Sequence, residues 1–101
     1  MGMFVVLGQA TAAKGNSKYP TGEIHSTMLF VSSHSREEAE QMAVAELEEG
    51  GWADVRLRKI GTIKPESLNG QEPAIQNAYE SAVTDGASII IYKDADDGYA
   101  D

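Results

Sequence analysis

Two segments near the start of the chain, GMFVVLGQAT at residues 2–11 and EIHSTMLFVS at residues 23–32, are dense in β-branched and aromatic residues and read as strands. In the second, Ile24, Met28 and Phe30 share one parity, and Leu29 and Val31 share the other. Residues 12–22 between them are small and polar and are punctuated by Gly15, Pro20 and Gly22, which predicts a long-looped hairpin.

The period then changes. In SREEAEQMAVAELEEGG, Ser35 and Glu38 have the S-x-x-E spacing of a capping box, and Ala39, Met42, Ala43 and Leu47 form an apolar stripe at helical spacing. The pattern predicts a helix over 36–49, closed by a left-handed cap at Gly50 or Gly51. Residues 52–63 return to alternation: Val55 and Leu57 face one way, Arg56 and Arg58 the other. The pattern breaks at Lys59–Ile60, where a bulge is expected. After a connection with Pro65, Asn69 and Gly70, Pro73 suits the first position of a second helix. Ile75, Ala78, Tyr79, Ala82 and Val83 mark its buried face, and Gly86 ends it. Residues 87–92, ASIIIY, read as the last strand.

Strand, strand, helix, strand, helix, strand predicts an α+β fold: a two-layer sandwich of one four-stranded sheet with two helices packed on one face. Residues 24–63 and 52–92 are read as right-handed βαβ crossovers. Strand order is not legible. The runs MFVVL and SIIIY are apolar at both parities, although a strand covered on one side needs apolar residues only at alternate positions. A second copy of the chain is the expected cover, making Phe4, Val5, Val6, Leu7, Ile89, Ile90 and Ile91 a candidate dimer face. A helix on each face of the sheet is the alternative.

At 101 residues the chain is expected to hold one domain, residues 1–93, with 94–101 as an acidic flexible tail. Hydrophobic residues make up 42% and charged residues 24%, the balance of a globular protein. Without cysteine there is no disulfide, no thiolate nucleophile and no Cys-ligated metal, and a cytoplasmic location is expected. No apolar run is long enough to span a bilayer, and MGMFVVLGQATA lacks the basic start of a signal peptide. A net charge of −8 argues against nucleic acid as a partner.

The loop GQATAAKGNSKYPTG resembles the start of a phosphate-binding loop, but Ala13 stands where a glycine is needed and Gly15 where a Ser or Thr would hold magnesium. Pro20 and Gly22 precede a strand rather than a helix, so no helix N-terminus faces the loop. Nucleotide binding is therefore not expected. His25 and His34, nine residues apart on one strand, would lie about 30 Å apart, too far to share a metal, and both are expected on the surface or rim. DADDGYAD lacks the ligand positions of a calcium loop. No catalytic, cofactor-binding or metal-ligating residue is assigned, and an enzyme is not favoured.

The charges are more informative. The first helix carries Glu37, Glu38, Glu40, Glu46, Glu48 and Glu49 against Arg36, and no Glu has a Lys or Arg four residues on. Strand 52–63 and its exit carry Arg56, Arg58, Lys59 and Lys64. The acidic helix is either a solvated face or a surface kept for a basic protein partner. The candidate interaction surface is Glu37, Glu40, Glu46 and Glu48, with Lys14, Lys18 and Tyr19 from the loop. The expected function is that of a small acidic binding or regulatory protein, working by protein–protein contact as a homodimer. A small enzyme or metabolite-binding protein with a site in the dimer cleft, and a structural subunit, are the alternatives.

Overall fold

The computed structural model describes residues 2–95, with side chains as far as Tyr92. The chain runs through β1 (Gly2–Ala12), β2 (Ile24–Ser33), α1 (Arg36–Glu49), β3 (Trp52–Thr62), a short 3-10 turn (Pro65–Leu68), α2 (Pro73–Asp85) and β4 (Ala87–Ala95). The strands form one antiparallel sheet in the order β3-β1-β2-β4. The α+β class, the four strands and the two helices agree with the sequence pattern.

The layering differs. Val6, Ala10, Leu29 and Val31 of the central strands pack with Ala39, Ala43 and Leu47 of α1. Residues of opposite parity, Val5, Met28, Phe30 and Ile90, pack with Ile75, Ala78, Tyr79 and Ala82 of α2. One helix therefore lies on each face, rather than both on one. This accounts for strands apolar at both parities, because each parity meets its own helix. The second crossover differs too. Both β2 and β3 run antiparallel to β1, so they are parallel to each other with β1 between them, whereas β4 runs antiparallel to β2 and hence to β3. Residues 52–92 thus carry the chain from one edge of the sheet to the other and are not a parallel βαβ unit.

Local chemistry sets the helix ends. Ser35 Oγ accepts from the Glu38 main-chain N–H at 3.1 Å. Glu38 Oε1 accepts from the His34 main-chain N–H at 3.2 Å and from Ser33 Oγ at 2.9 Å, one residue earlier than a standard capping box. These bonds, the His34 N–H first, hold the Glu38 carboxyl below the usual carboxylate range. Gly51, at φ +91°, supplies the left-handed turn after α1, and Gly86, at φ +96°, ends α2. Val83 is 61% exposed instead of buried, because it lies well off the line through Ile75, Tyr79 and Ala82.

Strand β3 meets β1 with two irregularities. Leu7 pairs with Lys59 and Gly8 with Leu57, so Arg58 is the extra residue, one position before the expected bulge. The second shift, between Gln9 and Thr11, coincides with Asp54 at φ +48°. A Cβ on Gly8 would sit 2.5 Å from the Arg56 carbonyl oxygen, so the bulged strand is admitted only because residue 8 has no side chain.

The Thr27 hydroxyl is buried with no hydrogen-bond partner among the described residues, and leaving it unmade costs free energy. Thr27→Val is expected to raise stability by about 1 kcal/mol in urea titration. Because the Glu38 carboxyl titrates lower in the folded than in the unfolded chain, its contribution is fully present above the ordinary value of 4.5 and is lost as pH falls through the folded value. Stability curves of the parent and Glu38→Gln should separate above that pH and converge on the acid side.

Candidate functional site

Helix α1 buries Ala39, Ala43 and Leu47, spaced four residues apart, against the sheet. Glu40, Val44 and Glu48 follow each of these by one position and so line the flank beside β3. Between that flank and the strand runs a groove of about 430 Å³, lined by Glu40, Gln41, Val44, Ala45, Glu48 and Leu57. Val44, Ala45 and Leu57 make an apolar floor, and the two carboxylates stand on its rim. Toward the N-terminus of α1 the groove continues into a smaller recess of about 110 Å³, where Arg36, Arg58 and Lys59 join Glu40, Leu57 and Ile60.

Among the described residues the ion pairs His25–Glu23, at 2.9 Å, and Arg56–Asp54, at 3.8 Å, do not neutralise the acids of α1, since neither involves a glutamate of that helix. The expected separation of the β3 arginines from the helix holds only in part. Leu57 joins the core on the α1 side, yet Arg58 and Lys59 share the recess with Glu40. The groove is thus polarised, cationic at one end and acidic along the rest.

The sequence-predicted surface divides into parts. Glu40 and Glu48 come together at the groove. Glu37 is exposed on the first turn, and Glu46 is half-buried and does not line the groove. Lys14, Lys18 and Tyr19 belong to the hairpin loop beyond the C-terminal end of α1. That loop is pinned to the helix cap: Asn16 Nδ2 donates to the Gly51 carbonyl at 3.2 Å, and Asn16 Oδ1 accepts from the main-chain N–H groups of Lys18 and Tyr19 at 3.0 Å. Strand β2 follows the loop, so no helix N-terminus points into it. Lys18, Tyr19 and Trp52 line a second recess of about 300 Å³ floored by Ile89 and Ile91.

The candidate dimer face is not one continuous surface. Val6 is buried, and Phe4, Ile89 and Ile91 are half-buried around the α1-side core. Val5 and Ile90 pack with the α2-side core. Leu7 is half-buried and lines a cleft of about 410 Å³ with Ser26, Arg58, Lys59 and Tyr92.

His25 is 1% exposed, not at the surface, whereas His34 is exposed as expected. Strand parity was the available signal, since His25 alternates with Thr27, Leu29 and Val31. Its ring lies 4.3 Å from Tyr19 and 5.7 Å from Trp52, centroid to centroid. Nδ1 lies 2.7 Å from the Tyr92 carbonyl oxygen and Nε2 lies 2.9 Å from Glu23 Oε1. A carbonyl can only accept, so Nδ1 carries a proton. This cluster ties the loop, β2, β3 and β4 together at one end of the sheet.

Among the described residues no three His, Asp or Glu side chains are placed to hold a metal ion, and no helix is long and apolar enough to cross a membrane. The acidic segment expected to be a tail enters β4 as far as Ala95, and residues 96–101, with the rest of the calcium-like run, lie outside the described residues. Comparison with family models, with curated proteins and with solved structures finds no match.

His25→Ala should cost about 3 kcal/mol, because it opens a cavity and strips the Tyr92 carbonyl and Glu23 of their partner. Trp52 is the single tryptophan and is 6% exposed. Its emission should shift to the red in the folded variant, while Glu23→Gln, which keeps a hydrogen-bonding group beside Nε2, should leave the emission close to that of the parent.

Proposed function

We propose that this protein is a small acidic binding module that captures a basic, apolar-bearing segment of a protein partner in the groove between α1 and β3. The observation that carries this reading is the apolar floor of Val44, Ala45 and Leu57 between the carboxylates of Glu40 and Glu48. An apolar floor supplies burial to an incoming side chain, and the carboxylates select lysine or arginine beside it. The acidic excess of the whole chain, −8, speeds encounter with a basic surface and makes it salt-dependent.

The same reading takes the working unit to be a homodimer in the cytoplasm. A pair of chains presents the groove twice, so a partner with two basic segments gains from effective concentration. The absence of cysteine fits a reducing compartment.

The test uses a peptide of alternating lysine and leucine and its glutamate–leucine counterpart. The lysine peptide should bind and the glutamate peptide should not. Glu40→Lys with Glu48→Lys should weaken lysine-peptide binding about tenfold or more and flatten its salt dependence. Glu66→Lys with Glu80→Lys changes the net charge equally, at exposed positions on the 3-10 turn and on α2. That control should weaken binding far less, and Leu57→Ser should weaken it without changing charge. Equal losses from the two charge-reversed pairs, with no effect of Leu57→Ser, would show bulk electrostatics and contradict the groove.

A further inference from the structure

The two edges of the sheet are not alike. At one edge β3 is bulged at Arg58, irregular again near Asp54, and carries Arg56, Arg58 and Lys59. Bulges and like charges blunt an edge against pairing with another strand. At the other edge β4 carries no charge from Ala87 to Tyr92 and pairs with β2 without a register shift from Ala87 to Ile91, its irregularity being confined to the stretch between Ile91 and Ala95. Among the described residues the exposed large apolar side chains are Val83 at 61% and Tyr92 at 44%, on α2 and β4.

The ladder shows which main-chain groups of β4 are open. The Ser32 N–H donates to the Gly86 carbonyl, which makes that pair a hydrogen-bonded one. Alternation along the same register makes Phe30↔Ser88 and Met28↔Ile90 hydrogen-bonded pairs, and Val31↔Ala87, Leu29↔Ile89 and Thr27↔Ile91 non-bonded ones. The N–H and C=O groups of Ala87, Ile89 and Ile91 therefore point away from β2, along a straight and uncharged edge.

We infer that this edge takes a second copy of the chain, β4 against β4, antiparallel about a two-fold axis at Ile90. The inference rests on the homodimer reading above and supplies its interface. In this register Ile89 faces Ile91 of the partner subunit, and the two exchange both main-chain hydrogen bonds with the groups that point outward. Ile90 faces its own copy in a non-bonded pair, and Ser88 faces Tyr92 of the partner subunit. No like charges oppose one another among these residues. Pairing β3 with a second β3 would instead bring two runs of Arg56, Arg58 and Lys59 together. A continuous sheet also leaves both α1–β3 grooves open, at its two far edges.

Light scattering should report about twice the 10.8 kDa chain mass. Ile91→Pro removes an outward N–H and leaves the ladder to β2 intact, so it should raise the dimer dissociation constant about tenfold or more. The chain has no cysteine, so Ile90→Cys introduces a single thiol. Antiparallel non-bonded pairs bring Cα atoms to about 4.5 Å, within disulfide range. This variant should form a covalent dimer under mild oxidation, and Glu37→Cys should not. A dimer that Ile91→Pro leaves unchanged and Ile90→Cys does not cross-link would overturn the β4 interface while keeping the homodimer. A monomer throughout the micromolar range would overturn both, and the peptide experiment on the groove would stand independently. If Ile91→Pro fails to fold, the cross-link decides alone.

Discussion

The central strand pair, β1 with β2, must be covered on both faces. Val6, Leu29 and Val31 on one side and Val5, Met28 and Phe30 on the other cannot be left in water without losing the burial that drives folding. One helix serves each side, and the rest of the molecule follows. The chain must cross the sheet twice, once over each face, which carries β3 and β4 to opposite edges. α1 leaves a flank open beside β3, and there the groove forms. α2 packs beside β4 on the other face.

The two edges then acquire different properties from their sequences. β3 answers its exposure with bulges and cations, and Gly8 is the residue on β1 that admits the displaced backbone. β4 has no such protection from Ala87 to Ile91, and its one register shift against β2 lies beyond, between Ile91 and Ala95. Electrostatics follow the same division. Glu40 and Glu48 of α1 border the groove at the β3 side, while the hairpin loop is held against the far end of the helix by Asn16 and by the aromatic group around His25. The separation keeps the proposed recognition groove and the proposed self-association edge apart.

Much of this was legible in the sequence. The S-x-x-E spacing, Pro73, Gly86 and the two apolar stripes fix the helices, because capping and periodicity are local effects. The layering was not, because apolar residues at both parities of MFVVL and SIIIY say only that two covers exist. A second copy and a second helix satisfy that pattern equally, and the distinction lies in long-range contacts such as Phe30 with Tyr79. His25 was misplaced for a related reason. Its residue type suggests the surface, but its parity places it with Leu29 and Val31, and parity prevails once Glu23 and the Tyr92 carbonyl satisfy the ring nitrogens. Of the groove, the acidic rim was visible as a charge pattern. Its floor was not, because bringing Leu57 beside Val44 depends on which strand α1 lies against.

The claim on which the account turns is that α1 and α2 lie on opposite faces, and side-chain proton contacts in solution test it most directly. Cross-relaxation should join the Tyr79 ring to Phe30, whose centroids are 5.8 Å apart, and Leu47 to the Val6–Leu29 set, with no contact from α2 to that second set. Contacts from both helices to residues of the same parity would contradict it, and would return the second face of the sheet to a partner.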